Sequence, residues 1–421
     1  MFHRLARLGA AVFAAALLVA CRTAALPQVT AERPIVVLVS IDGFRWDYLE
    51  KFRPPTLLAL AAGGVRAEGL IPQFPSKTFP NHYTIATGLR IARHGIVSNN
   101  MEAPDIPGRF SLRNRDVLMD PRWWGGEPIW NTVERQGLVA SAMFWPGSET
   151  KIGGRQATYW IPYEEEMPHA ERVARTLDWL TRPAGKGASF ATLYFSDVDT
   201  AGHRRGPDSE EVRDAVARVD ASLAQLVKGV EDAGRGARVH YIVVSDHGMA
   251  SLSPDRMIVL DDLIDIATAE VIDWSPVLGL TPRDGDVARL YAALKDRHPA
   301  LAVYRKGEVP AKYGLAGHPR LPPIVGIAGE GWHVTSRAEM ARWGTGNLVA
   351  PGGNHGYDPQ LRSMHGLFVA AGSRVHRGRR VPAFENIHLY ELMCALLGVR
   401  PAKNDGDLRV TRGILRERAA Q

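Results

Sequence analysis

Asp199 and His203 stand four residues apart in Asp199-Thr200-Ala201-Gly202-His203. That spacing places a carboxylate and an imidazole within reach of one ion across a single turn. Asp246-His247 sets both types side by side, and His355 lies in a glycine-flanked loop, Asn354-His355-Gly356-Tyr357-Asp358. With Asp42, these residues could hold two divalent ions, and imidazole nitrogen with carboxylate oxygen is a donor set that suits zinc. A second group supplies hydroxyls: Pro75-Ser76-Lys77-Thr78-Phe79-Pro80-Asn81-His82, with Thr84 just beyond. A hydroxyl is a poor nucleophile at neutral pH, and metal coordination lowers its pKa. By residue type alone Ser76, Thr78 and Thr84 are equal candidates. A lone Asp-xxx-His is more often an ordinary pair, and a loop hydroxyl more often caps a helix. The combination is what points to chemistry.

These residues need elements to position them. Ile35–Ile41, Phe190–Phe195 and Val239–Val244 read as strands buried on both faces. Asp42, Asp199 and Asp246 each fall at or shortly after the end of one of them. Further strands are expected at 138–144 and 367–371, and helices at 56–62, 170–180 and 387–397. Val212, Val216, Val219, Leu223, Leu226, Val227 and Val230 recur at helical spacing after Asp208-x-x-Glu211, a start resembling a capping box. Alternating strands and helices predict an α/β fold, a mostly parallel central sheet with helices on both faces. Ligands in such sheets bind at the carboxyl ends of strands, where the three aspartates fall. Residues 255–345 interrupt the alternation and read as a small inserted α/β lobe, with a helix around 286–296 and strands at 301–304 and 324–326. The catalytic domain is then expected over 34–254 and 346–410.

The chain has 421 residues, 23% charged and 45% hydrophobic, with a formal charge of +6. It is long enough for a large core and ordinary enough in composition to exclude a disordered chain. Two cysteines exclude a disulfide scaffold and a Cys-rich zinc module. Cys394 sits in an apolar helical run and reads as a core thiol. Cys21 closes Leu18-Val19-Ala20-Cys21 after an apolar run that follows Arg4 and Arg7. Residues 1–20 have the plan of an export signal, with an apolar run too short to span a bilayer comfortably. The Leu-Val-Ala-Cys ending resembles a bacterial lipobox. It predicts a chain lipidated at Cys21, tethered through residues 21–33 to a membrane and facing the periplasm or cell exterior. No basic stripe is evident along the sequence, so nucleic-acid binding is not expected.

Seven motifs in order carry a family resemblance: Val39-Ser40-Ile41-Asp42-Gly43-Phe44-Arg45, Ser76-Lys77-Thr78-Phe79-Pro80-Asn81-His82, Thr87-Gly88, His94-Gly95-Ile96-Val97-Ser98-Asn99, Asp199-Thr200-Ala201-Gly202-His203, Ser245-Asp246-His247-Gly248-Met249 and His355-Gly356-Tyr357-Asp358. Together they resemble the nucleotide pyrophosphatase/phosphodiesterase family of the alkaline phosphatase superfamily, over about residues 35–401. The resemblance implies two zinc ions. One would be held by Asp199, His203 and His355, the other by Asp42, Asp246 and His247 with Thr78 as fourth ligand and nucleophile. It implies a phosphothreonine intermediate and makes Asn99 a donor to the phosphoryl oxygen. It also implies that Phe79 stacks on a nucleobase, with a tyrosine from a later loop on the other face. Tyr159 and Tyr163 are both candidates for that tyrosine.

Nucleotide phosphodiesters and pyrophosphates are the favoured substrates, acted on by a monomer. The alternatives are a lysophospholipid or glycerophosphocholine phosphodiesterase on the same site, and an inactive surface-anchored binding protein. A sulfatase needs a Cys or Ser nucleophile in a context absent here. A monoesterase like alkaline phosphatase would use serine.

Overall fold

The computed structural model describes residues 33–342 and 352–416. The expected signal, Cys21, nearly all of the tether and the lobe boundary at 345 lie outside the described residues. The described residues, from Arg33 onward, cluster into one compact unit.

The centre is an eight-stranded sheet. In chain order its strands are β1 (Ile35–Ile41), β2 (Val65–Ala67), β3 (Ala140–Met143), β4 (Tyr159–Trp160), β5 (Phe190–Phe195), β6 (Val239–Val244), β7 (Phe368–Ala371) and β8 (Arg379–Val381). In space they run β8-β2-β7-β6-β1-β5-β3-β4. β1 pairs in parallel with both β5 and β6, and β3 in parallel with β5 and β4. β7 is antiparallel to β6 and β2. All seven residues of β1 are buried, because helices cover both faces. Val36 and Leu38 enter one apolar cluster and Val37, Val39 and Ile41 the other, as the two-residue period of a strand requires.

The helices that matter for the site are α1 (Thr78–Thr87), α2 (His169–Thr181), α3 (Asp197–Arg205), α4 (Glu210–Asp232) and α5 (Leu389–Leu397). Tyr83 and Ile85 of α1 pack on one face of the sheet with Leu392 and Met393 of α5. Val173 of α2 and the Val212–Val230 stripe of α4 pack on the other. The start of α4 differs from the sequence expectation. Its N-cap is Ser209, whose Oγ accepts from the Val212 amide at 3.3 Å. Asp208 instead pairs with Arg45 and Lys51. Cys394 is buried in α5, as its apolar surroundings suggest.

A separate four-stranded antiparallel sheet runs (269–273)-(277–282)-(324–328)-(301–305). With the helix Val287–Leu294 it encloses its own apolar cluster around Leu278, Leu280, Leu290 and Ile324. Two of its strands, Ala269–Asp273 and Val277–Pro282, were not anticipated from sequence. Among the described residues, no helix is long and apolar enough to cross a membrane.

Candidate active site

Three loops and a helix converge at the carboxyl ends of β1, β5 and β6. Asp42 follows β1 directly, Asp246-His247 comes shortly after β6, and Asp199 and His203 lie one turn apart on α3. Gly43 has φ +67°, and a Cβ there would come within 2.8 Å of the Asp199 backbone. Only glycine lets the Asp42 turn approach α3 this closely. His355 arrives on the loop after Gly353–Asn354, which pairs with Ala250–Ser251.

The donors form two groups, Asp199/His203/His355 and Asp42/Asp246/His247, each with its ligand atoms within 4.8 Å of one another. In the first, Asp199 Oδ1 lies 3.4 Å from His203 Nε2 and 3.5 Å from His355 Nε2. In the second, His247 Nε2 lies 3.3 Å from Asp42 Oδ1 and 3.0 Å from Asp246 Oδ2. The rings of His247 and His355 stack at 3.5 Å and join the two groups.

Two observations test whether cations fit here. First, Asp42 Oδ1, Asp199 Oδ1 and Asp246 Oδ2 are buried without a hydrogen-bond partner, which is costly unless a cation satisfies them. Second, all three histidines turn Nδ1 to a backbone carbonyl: His203 to Gly353 at 3.0 Å, His247 to Gly248 at 2.9 Å and His355 to Ser76 at 2.8 Å. A carbonyl only accepts, so Nδ1 carries the proton and the neutral ring offers its Nε2 lone pair to the site. His203 Nε2 and His355 Nε2 then face each other at 3.1 Å as two acceptors. A cation between such atoms removes their repulsion. The residues present fit two divalent ions.

The charges agree with this. Burial pushes the Asp42 carboxyl well above the carboxylate range, reinforced by the negative charges of Asp246 and Asp199. Burial also opposes the charged forms of Asp246 and His247, but with no ion bound each stabilises the other's, so that Asp246 is held well below the carboxylate range and His247 is raised above the imidazole range. A bound cation would take the place of the proton on His247 Nε2. Burial, then the neighbouring His247 and His203, holds the His355 ring well below the imidazole range, in its ligand form.

Thr78 starts α1, and its Oγ1 lies 3.4 Å from His247 Nε2. Ser76 instead donates its hydroxyl to the Tyr357 carbonyl at 2.9 Å, and the Thr84 hydroxyl meets His94 Nε2 at 2.9 Å. Of the three hydroxyls, the structure brings only Thr78 to the donor groups. The Phe79 amide donates to Asn99 Oδ1 at 3.0 Å. That bond orients the Asn99 side chain and leaves its Nδ2 as the donor. The Phe79 ring is half-buried against Phe110 and Trp124. Tyr163 is exposed and packs edge-on to Phe144 at 5.0 Å and Tyr194 at 6.2 Å. Tyr159 is not at the site. It stacks on Trp179, lies under the Arg182 guanidinium and donates to the Lys186 carbonyl at 2.8 Å, below the amino end of β5.

Several supporting residues escaped the sequence reading. Tyr194 donates to Asp42 Oδ2 at 2.6 Å, and the only sequence signal is a tyrosine near the end of an apolar strand. His82 touches Asp246 Oδ2 at 3.2 Å, the Thr78 carbonyl at 2.9 Å and Ser40 Oγ at 2.8 Å. Asp273, from the small antiparallel sheet, binds Lys77 Nζ at 2.5 Å and also takes the Ser98 hydroxyl and, at 3.1 Å, the Asn100 amide. It thus anchors both loops that carry Thr78 and Asn99.

An α/β sheet with metal-ligand groups at its strand ends and a hydroxyl beside them suits a metal-assisted hydrolase. The family described as type I phosphodiesterase / nucleotide pyrophosphatase matches residues 36–358. Ectonucleotide pyrophosphatase/phosphodiesterase family member 5 of Homo sapiens is 36% identical over 371 residues, covering 88% of this chain and 76% of the relative. Bis(5'-adenosyl)-triphosphatase enpp4 of Mus musculus is 36% identical over 385 residues, covering 91% and 81%. The solved structure of murine ectonucleotide pyrophosphatase/phosphodiesterase 5 superposes with a TM-score of 0.85 at 36% identity, covering 91% of this chain and 100% of that one. An inactive threonine-to-alanine variant of it, in complex with AMP, gives 0.85 at 35% identity, with the same coverage. The chain belongs to the type I phosphodiesterase/nucleotide pyrophosphatase family and is a hydrolase of that family.

Proposed function

We propose that the chain hydrolyses phosphodiester or pyrophosphate bonds of nucleotides and releases a nucleoside monophosphate, with Thr78 as nucleophile. Asp199, His203 and His355 would hold one zinc ion, and Asp42, Asp246 and His247 the other. When bound, the ions supply Lewis-acid chemistry, lowering the pKa of a hydroxyl and neutralising phosphate charge. The Thr78 hydroxyl gives up its proton to solvent and its oxygen bonds to phosphorus as the bond to the leaving oxygen breaks, so that the nucleoside monophosphate is esterified to Thr78. Water then attacks the same phosphorus, restoring the Thr78 hydroxyl and releasing the nucleoside monophosphate. Asn99 Nδ2 donates to the phosphoryl oxygen as its charge develops. Phe79 and Tyr163 take the base, and Tyr194 holds Asp42 in place.

The observation that carries the reading is the position of Thr78 Oγ1, 3.4 Å from Nε2 of His247, a member of the second donor group. A relative solved with AMP supports a nucleotide as the substrate. The test compares three substrates on the purified enzyme: a nucleotide phosphodiester, a phosphomonoester and glycerophosphocholine. The phosphodiester is expected to be the best, and chelation to abolish its turnover. A preference for glycerophosphocholine would move the enzyme to lipid-derived substrates. A preference for the monoester, or no turnover of any, would overturn the proposal.

A further inference from the structure

The amino ends of β1, β5 and β6, opposite the candidate active site, meet an arginine-rich face. Residues 233–240, 371–382, 398–403 and 408–416 contain no Asp or Glu, and each carries at least two Arg or Lys. They are distant in sequence and joined in space. The Arg238 guanidinium donates to the Arg33 carbonyl at 2.9 and 3.1 Å. Ser373 Oγ donates to the Ala237 carbonyl at 3.0 Å, and the Arg416 amide to the Arg374 carbonyl at 2.9 Å. On the other side, Arg33 donates to the Gly137 carbonyl at 3.3 Å, while Gln136 donates to the Arg400 carbonyl at 2.8 Å. One continuous surface results, and on it Arg33, Arg377, Arg400, Arg412 and Arg416 are exposed. Arg380 and Arg409 are ion-paired with Glu68 and Asp407 and add little.

The same surface is where the chain enters the folded unit. Arg33 precedes β1, and eleven residues lie between it and Cys21. Covalent geometry limits that link to about 40 Å, so a lipid at Cys21 keeps this face near its membrane. β1 spans seven residues from this face to Asp42, about 23 Å at the strand rise.

We propose that the arginine face docks on a bilayer containing anionic phospholipid and turns the active site away from it. Charge complementarity and the entry point of the tether both select that occupant. None of the four segments contains Phe, Trp or Tyr, the stacking platform that single-stranded nucleic acid needs. Substrate then comes from the aqueous phase, which agrees with a soluble nucleotide. The proposal rests on the lipid anchor expected at Cys21 and does not depend on the catalytic assignments.

The experiment uses the chain from residue 21 with Cys21→Ser, so that no acyl chain contributes. Binding is measured by co-sedimentation with vesicles of phosphatidylcholine alone and of phosphatidylcholine with phosphatidylglycerol. Each arginine that reaches anionic headgroups is worth about five-fold in partitioning. Arg377→Gln, Arg412→Gln and Arg416→Gln together are therefore expected to weaken binding to the anionic vesicles about 100-fold. Raised salt is expected to weaken wild-type binding in the same direction. Turnover of a soluble phosphodiester should not change in the triple variant, which shows that it is folded. Equal binding to both vesicle types, or binding unmoved by the triple substitution, would overturn the proposal. Displacement from vesicles by duplex DNA at a lower concentration than lipid would also overturn it, by assigning the face to nucleic acid.

Discussion

Replacing Asp273 with asparagine removes one charge from a buried cluster while keeping its shape. The Lys77 and Asp273 side chains are 6% and 11% exposed, and their charges meet at 2.5 Å. The Asp273 carboxylate also accepts from the Ser98 hydroxyl, the Asn100 amide and, at 3.0 Å, the Trp274 backbone. With a neutral amide there, the Lys77 ammonium stays buried without a counter-charge. Breaking a buried pair in this way costs about 3–5 kcal/mol. That is a large part of the roughly 5–15 kcal/mol that holds a domain folded. Activity should fall as well, because Lys77 precedes Thr78, and Ser98 and Asn100 flank Asn99. A displacement of about 1 Å at a reacting group costs on the order of 10²-fold in rate. Urea unfolding and steady-state kinetics of Asp273→Asn read both effects. Adding Lys77→Met removes the stranded charge, and the double variant should recover about 0.5–3 kcal/mol relative to the sum of the singles. Stability within about 0.5 kcal/mol of wild type, the ordinary size of a surface substitution, together with an unchanged kcat would refute the reasoning.

Asn99→Ala should lower kcat by about 10²–10³ with zinc content unchanged, the usual loss of one donor to a developing oxyanion; quenched-flow and metal analysis check it. Tyr163→Ala should raise KM for a nucleotide substrate, whereas Tyr159→Ala should leave KM alone, and the reverse pattern would show that the base lies elsewhere. His94 is buried, its imidazole pushed down to about 3 by burial. Its folded pKa lies below the unfolded value of about 6.5, so its contribution is complete above pH 6.5 and is lost as pH falls toward 3. Between pH 7 and pH 5 that is about 2 kcal/mol, and the difference should vanish in the pH profile of unfolding of His94→Gln.

Much of this site was legible because its parts obey short-range rules. β1, β5 and β6 are covered on both faces, so they read as unbroken apolar runs, and the aspartates after them had to fall at strand ends. Asp199 and His203 are linked by helical spacing, which survives in one dimension. What sequence hid depends on distant contacts. Lys77 and Asp273 are separated by 196 positions, and no local pattern marks them as a pair. Tyr159 and Tyr163 sit in one short segment, yet the first reaches the Lys186 carbonyl and the second lies beside Tyr194. The arginine face draws on four separate segments plus Arg33, so no single stretch of sequence looks basic enough to announce it.

The central claim is that two zinc ions and Thr78 form one catalytic unit, with separate jobs for metal ligands and nucleophile. Metal content and phosphodiester turnover of wild type and Thr78→Ala, measured side by side, test it most directly. Two zinc ions per chain are expected in both proteins, and turnover in wild type alone. A Thr78→Ala enzyme that still turns over, or a wild-type chain that is fully active with one ion or none, would contradict it.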